Sequence, residues 1–432
     1  MKTNKFYSST AWQVGSKIYT MLLSLLVGAL TARYLGPSNY GLIGYGSSLI
    51  AIFIAVSNLG MNGVVQKELI DCPENRGELL GTAFCMRFVS SALCMLAIDI
   101  LVRFLEPGHV LLRKITWLQS FALLLQIGDT FGYWFQSRLE HKVISIGTML
   151  AFTVVCVWRV FLLVNGAEIE WFAASSCVQY LASSLVLIVY FARKYPTKLC
   201  LKLSTAKRIL KSSYHFIFSG IAISLYTQVD KIMLGRILNE EMVGYYTAAT
   251  TISALWEFVP MAVINSAMVL ILNSKKTDEQ KYNTQLSLLL CGITVMGIVV
   301  SVVLTVFGKL VIRILYGEAY MLAYGPLIVL LWSTCFAMIG SARGSTWILA
   351  EKLNMYSKYY VFISSALNLL LNAVLIPKYG IMGAAVATLV SQITTALIAP
   401  LFFKRTRAFV PLYIKSWAVT CRVLVATLRK GK

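Results

Sequence analysis

Charge is scarce in this chain. Of its 432 residues, 13% are Asp, Glu, Lys or Arg, against about 25% in soluble globular domains. Acid is scarcer still, with 18 Asp and Glu against 39 Lys and Arg. So little charge cannot clothe a soluble surface, which excludes an ordinary soluble enzyme or scaffold. Histidine is confined to His109, His141 and His215, too few for a histidine-based metal site. The nine cysteines are scattered, mostly within apolar stretches, and form no CxxC pair; they read as small apolar packing residues. Strand-like alternation over about ten residues is missing, which excludes a transmembrane barrel. No Ser/His/Asp set and no DxD-like carboxylate cluster appears, and the longest loops on one side, near 104–113 and 313–320, are short. A membrane-embedded enzyme that needs an external acceptor domain is therefore disfavoured.

What is abundant is apolar mass: 58% of residues and a mean hydropathy of +0.73. Runs of about 20 apolar residues recur along the chain, each long enough to cross a bilayer as a helix. With barrels excluded, helices alone satisfy the backbone inside lipid. The pattern predicts twelve spans at 9–33, 40–63, 81–105, 114–137, 143–165, 169–193, 210–237, 242–272, 284–313, 321–348, 355–377 and 380–402. Lys2 and Lys5 precede the first span with no convincing cleavage site, so a retained helix is expected there rather than a removed signal.

The net charge of +21 could indicate nucleic acid, but its distribution indicates a membrane. On the twelve-span layout the N-terminus, even-numbered loops and tail hold 28 Lys and Arg, and the odd-numbered loops hold 8. Lys17, Arg159 and Lys231 fall within spans. This bias predicts that both termini face the cytoplasm. No nucleic-acid partner is expected.

The stretch "TARYLGPSNYGLIGYG" (31–46) returns as "GRILNEEMVGYYTAAT" (235–250). Arg33 overlays Arg236, Leu35 overlays Leu238 and Gly41 overlays Gly244 at one offset of 203 residues. Six spans is an even number, so the two copies start on the same side, as in parallel transporter repeats. The expected lobes are 1–203 and 204–403. A basic tail, 404–432, follows. Beyond Pro411 it carries Ile414, Trp417, Ala418, Cys421, Leu424 and Leu428 at helical spacing, with Lys415, Arg422 and Arg429 on another face. That pattern predicts an interfacial amphipathic helix touching anionic lipids; Arg422 at its middle disfavours a thirteenth span.

Leu and Ile can face lipid, so polar residues mark the protein's interior. Gln13, Lys17, Thr20, Ser24, Gly28 and Thr31 share one face of the first span, spaced as helical neighbours. Gly220, Ser224, Thr227, Gln228, Lys231 and Gly235 do the same in the seventh, at the same repeat offset. The fourth span adds Gln119, Gln126, Asp129, Thr130 and Tyr133, and the fifth adds Ser145, Thr148 and Arg159. Stripes of Ser, Thr and Gly also suit tight helix packing. Cations at membrane depth do not: each costs about 2.5–3.5 kcal/mol on insertion scales and normally faces a bundle interior or watery cavity. Asp99, Asp129, Asp230 and Glu257 could instead form buried ion pairs with them. We expect Gln13, Lys17, Ser24, Gln126, Asp129, Arg159, Gln228, Asp230, Lys231 and Glu257 to line a central substrate cavity. Lys, Arg, Gln and Tyr together suit an anionic, hydroxyl-rich substrate.

Three segments carry a resemblance: "ARYLGPSNYGLIGY" after the first span, "DKIMLGRILNEEMVGYYTAA" (230–249), and "PKYGIMGAAVATLVSQ" (377–392). Together they resemble the Wzx-type polysaccharide flippases, in the superfamily that also holds the MATE antiporters and the lipid II flippase. The resemblance extends over residues 5–402. It implies an all-α membrane protein with twelve helices in two pseudo-symmetric six-helix bundles, in a MATE-like V, plus the amphipathic tail. It also implies translocation of undecaprenyl-pyrophosphate-linked oligosaccharide across a bacterial cytoplasmic membrane by alternating access. The pathway would be O-antigen, capsule or exopolysaccharide synthesis, with glycan polymerase and chain-length machinery as partners. No cofactor is implied, and proton or sodium coupling stays open. The competing reading is a cation-coupled drug or metabolite antiporter, against which cavity cations would argue; a membrane-embedded glycan polymerase or ligase on the same lipid carrier is the less favoured third, for want of a catalytic set and a large external loop. The 31–46 corner and its copy would end helices on the outer side. Asn239-Glu240 stands where the first copy has Gly36-Pro37, so a less sharp second corner is expected.

Overall fold

A computed structural model describes the backbone of residues 2–430 and the side chains of residue 9 and of residues 11–422. The side chains of Lys2, Lys5, Leu424, Leu428 and Arg429 lie outside the described residues. Fifteen α-helices follow in chain order: α1 Lys2–Ser57, α2 Met61–Asp71, α3 Arg76–Leu105, α4 Val110–Leu125, α5 Gly132–Ser137, α6 His141–Val164, α7 Ile169–Ala173, α8 Ser175–Lys194, α9 Leu203–Ile237, α10 Glu240–Ala254, α11 Phe258–Thr277, α12 Glu279–Leu315, α13 Tyr324–Ala342, α14 Asn354–Ile393 and α15 Phe409–Lys430. No strand occurs among the described residues.

Nine helical stretches among the described residues are long and apolar enough to cross a membrane. Two of them, Ala11–Asp71 and Asn354–Phe402, run to 61 and 49 residues, well beyond the ~20 that one crossing needs. Each is broken by a glycine with positive φ: Gly36 (φ 72, ψ 171) and Gly380 (φ 59, ψ −138). Only glycine adopts such backbone without strain, and Pro37 removes a helical N–H just after the first break. The repeat's second corner is built differently. Helix α9 ends at Ile237, and the Asn239 side chain accepts from the Met242 N–H at 3.0 Å to cap α10. An N-cap replaces the glycine hinge, so the chain breaks cleanly there without Gly-Pro.

The chain divides into two compact units, Met1–Ile232 and Met233–Lys432. In the first, α1 packs along α6 through Ser16 Oγ donating to Ser145 Oγ (3.3 Å) and a Tyr19–Thr153 hydroxyl bond (2.8 Å). Gln119 Nε2 donates to the Ile43 carbonyl and to Ser47 Oγ, tying α4 to α1. Ser145 and Gln119 thus serve packing. An aromatic core of Phe131, Trp134, Phe135 and Phe191 joins α5 to α8, and Arg138 lies over the Trp134 ring at 5.3 Å.

The basic connection after α8 is strapped onto α3. Cys200 N–H donates to the Gly77 carbonyl (3.2 Å), Lys202 N–H to Thr82 Oγ1 (3.1 Å), and Arg76 Nε to Thr197 Oγ1 (2.7 Å). Glu78 takes Lys202 and Thr205, and Glu68 takes Arg208. Gly81 makes room: a Cβ there would lie 2.6 Å from the Cys200 carbonyl oxygen.

The second unit packs α12, α13 and α14 side by side. Arg343, buried at the end of α13, donates from Nη1 to the Thr395 and Ala396 carbonyls at 2.7 and 2.8 Å. Both partners belong to a π-helical turn, 394–398, which continues α14. Helix α15 lies along α12. Tyr413 bonds Thr294 (3.0 Å), Thr420 Oγ1 donates to the Ser287 carbonyl (3.4 Å), and Ser416 is fully buried. As the tail runs from 413 to 420 its partners run from 294 to 287, so the two helices are antiparallel. The apolar face holding Ile414 and Trp417 is left exposed.

Candidate functional site: a polar hollow in the first unit

The first unit encloses a hollow of about 490 Å³, within the range of small-ligand sites. Its lining is polar for a structure made of apolar helices. Asn58 comes from the turn between α1 and α2, where Leu59 (φ 49) and Gly60 (φ 61) take left-handed backbone, and Asn62 from the first turn of α2. A Cβ on Gly60 would lie 2.7 Å from the Phe216 Cβ, so the glycine lets α9 close over the turn and set Phe216 into the lining. Arg87 enters from α3, Thr148 and Phe152 from α6, and Gln179 and Tyr180 from α8.

The remaining wall is a local change of helix type. Between α4 and α5 the chain runs as a 3₁₀ helix, Gln126–Phe131. At three residues per turn, positions i and i+3 eclipse, so Gln126 and Asp129 stand one above the other and both line the hollow. Gly128 allows the approach of α8, since a Cβ there would lie 2.6 Å from Ser184 Oγ; that hydroxyl donates to the Leu125 carbonyl at 2.5 Å. Tyr133 and Gln136 follow from α5.

Arg87 is the sharpest feature of this wall. It is 2% exposed. Its Nε has no hydrogen-bond partner among the described residues, nor has Asn58 Oδ1. Buried polar atoms are nearly always paired, and leaving one unpaired costs about 1–3 kcal/mol. Asp129 supplies the opposite charge on the same wall, so the hollow is formally neutral.

The expected site residues are distributed as follows. Gln126 and Asp129 line this hollow. Gln13, Lys17 and Ser24 are exposed along α1, and Arg159 is half-buried on α6 with its Nε unpaired. Gln228 and Lys231 are half-buried and Asp230 is buried on α9; Glu257 is half-buried at the start of α11 in the second unit. The electrostatic neighbours of Arg159 are Tyr40 and Cys156 rather than a carboxylate, whereas Lys231 feels the opposite charge of Asp230 beside it. Asp99 is committed elsewhere, to Arg103 (2.7 Å) and Arg113 (3.1 Å).

Sequence reading missed Arg87 and Arg343. Arg87 lies inside the expected span 81–105 and Arg343 inside 321–348. Their depth within those spans is the signal that would have found them. Gln179 and Tyr180 carried no signal beyond being polar residues in a span.

A family profile described as polysaccharide biosynthesis protein matches residues 6–271, well over half of the chain. The chain belongs to the polysaccharide biosynthesis protein family. Within known members, it is 25% identical over 377 residues to the "Probable low-salt glycan biosynthesis flippase Agl15" of Haloferax volcanii, covering 83% of this chain and 75% of that protein. Two solved structures share the fold. The lipid II flippase MurJ in an inward closed conformation superposes with a TM-score of 0.67 at 17% identity, over 97% of this chain and 93% of that one. An inward-facing multidrug resistance MATE family transporter of the MOP superfamily also gives 0.67, at 15% identity, over 93% and 95%. The fold expected from the resemblance, an all-α membrane protein of the MATE and lipid II flippase kind, is thus borne out.

Proposed function

We propose that this family member is a flippase for lipid-linked oligosaccharide, carrying undecaprenyl-pyrophosphate-linked repeat units across a bacterial cytoplasmic membrane by alternating access. The reading invokes binding and conformational change, with no covalent chemistry. The observation that carries it is Arg159, a half-buried cation on the apolar helix α6 whose Nε has no hydrogen-bond partner among the described residues, together with Lys231, a second half-buried cation on α9. A cation on an apolar helix with an unpaired donor, as Arg159 is, is a place for a substrate anion, and Arg matches phosphate geometry in particular. The relative from Haloferax volcanii, a glycan biosynthesis flippase by name, supports the same class of cargo.

In this reading the chain crosses the membrane twelve times. Lobes 1–203 and 204–403 rock against each other, and the tail 404–432 and both termini are cytoplasmic. Lys17, Arg159 and Lys231 bind the pyrophosphate. Gln13, Ser24, Gln126, Asp129, Gln228, Asp230 and Glu257 complete the substrate contacts. Anionic lipids hold the tail, and glycan polymerase and chain-length proteins receive the product.

The test uses purified protein in proteoliposomes loaded with lipid-pyrophosphate-linked oligosaccharide, with transfer read by lectin access. The natural chain should speed transfer. The Arg159→Ala/Lys231→Ala double variant should slow it at least ~100-fold, as two charge-assisted contacts of roughly 1.5–3 kcal/mol each disappear. Transfer at the natural rate by the double variant would overturn the reading.

A further inference from the structure

We propose that the hollow of the first unit is a subsite for one uncharged sugar residue of the translocated oligosaccharide, distinct from the cations that hold the pyrophosphate. This rests on the flippase reading above and adds which part of the cargo the first unit grips.

The lining decides the ligand class. A lipid tail is excluded by Asn58, Asn62, Gln126, Gln136 and Gln179, whose amides would go unpaired against it. A phosphate or an acidic sugar would meet Asp129 beside Arg87, and the wall offers no second cation. A metal cation would find a single carboxylate opposed by that guanidinium. An uncharged pyranose fits every group. Its hydroxyls both donate and accept, as do the Gln and Asn amides. Its C–H faces suit Phe152 and Phe216, which stand on α6 and α9. A hydroxyl or acetamido oxygen can take the unpaired Arg87 Nε, and a hydroxyl can donate to Asn58 Oδ1 or to Asp129. The unpaired Nε of Arg87, on a side chain 2% exposed, is the buried donor that such a sugar would satisfy. On the orientation proposed above, the ends of α3 and α8 nearest the strap are cytoplasmic. The hollow then lies in the cytoplasmic half of the first unit, where the cargo is loaded.

The experiment measures thermal unfolding of the full chain in nanodiscs while titrating four probes: glucose, N-acetylglucosamine, glucuronate and inorganic pyrophosphate. The two uncharged sugars should stabilise saturably, and glucuronate should bind about fivefold more weakly. Gln179→Leu should weaken sugar binding about fivefold, the loss of one neutral hydrogen bond, and leave the pyrophosphate response intact. That intact response also shows that the variant is folded. Asp129→Asn should reverse the preference against glucuronate. Lys231→Ala should remove the pyrophosphate response and leave the sugar response. Stabilisation that rises linearly with sugar and survives Gln179→Leu is a solvent effect and overturns the subsite. So does a preference for glucuronate in the natural chain. Failure of pyrophosphate to stabilise the natural chain would instead count against the flippase reading, so the two failures separate.

Discussion

Arg343 should be a structural cation whose removal loosens both the end of α14 and the tail. Its side chain is 3% exposed. Nη1 donates to the Thr395 and Ala396 carbonyls, and the guanidinium lies 4.6 Å from the Tyr360 ring and 5.5 Å from that of Phe409. The π-helical turn pulls those carbonyls out of α-helical register, and one arginine collects two of them. Charge-assisted hydrogen bonds contribute about 1.5–3 kcal/mol each, and a desolvated cation over an aromatic face adds about 2. Several kcal/mol of desolvation are recovered when the charge is deleted. The balance for Arg343→Met is a loss of about 2–4 kcal/mol. Arg343→Lys keeps the charge but presents no planar fork, and should lose roughly half as much. Phe409 is fully buried and packs against Trp347 with ring centroids 5.4 Å apart, so the damage should reach α15. The assay is SDS-titrated unfolding of the purified protein in bicelles, with labelling of Cys291 as a reporter of α15 leaving α12, since Cys291 is buried among the residues the tail contacts. Unchanged unfolding of Arg343→Met, or equal stability of the Lys variant and the natural chain, would refute the assignment.

Gly36→Ala should destabilise by about 1–3 kcal/mol, because φ 72 with ψ 171 lies in backbone space reserved for glycine; equal melting temperatures would show that the corner relaxes freely. Gly81→Val should lift the 197–202 strap, since even a Cβ would come within 2.6 Å of the Cys200 carbonyl, and limited proteolysis there should accelerate several-fold. Lys415→Gln/Arg422→Gln should abolish any extra stability in anionic over zwitterionic vesicles, about 1 kcal/mol per charge; an undiminished lipid preference would place the lipid contact elsewhere.

The two corners were legible because their chemistry is local. Gly36-Pro37 and Gly380 can be read as breaks from residue type alone, and Asn239 followed by Glu240-Glu241 is a helix start in any context. The inward side of the tail was not legible. Ile414 and Trp417 look like a packing face by soluble-protein rules, yet Tyr413, Ser416 and Thr420 face α12. Lipid is as apolar as leucine, so small polar residues mark helix contacts and large apolar ones mark lipid. The site was half legible for a related reason. Gln126 and Asp129 stood out as polar residues in a span, and an α-helical reading already sets them on one face about 60° apart, though not eclipsed. The 3₁₀ segment brings them fully into line, and there Gly128 meets Ser184 from a helix more than fifty positions away.

The two buried arginines can be compared as a matched pair. Both are at most 3% exposed, and both pay a desolvation penalty of several kcal/mol. Around Arg343, whose Nε is also unpaired among the described residues, the fold compensates through Nη1 with two carbonyls and with two rings from its own unit. Around Arg87 it supplies no hydrogen bond among the described residues, only the opposite charge of Asp129 on the same wall. If Arg87 were structural, its wall should resemble that of Arg343, with carbonyls turned toward the guanidinium and no free volume beside it. Instead the cation borders a 490 Å³ hollow furnished with amides. The difference between the two environments is therefore the difference between a cation that holds helices together and one whose partner arrives from outside the chain.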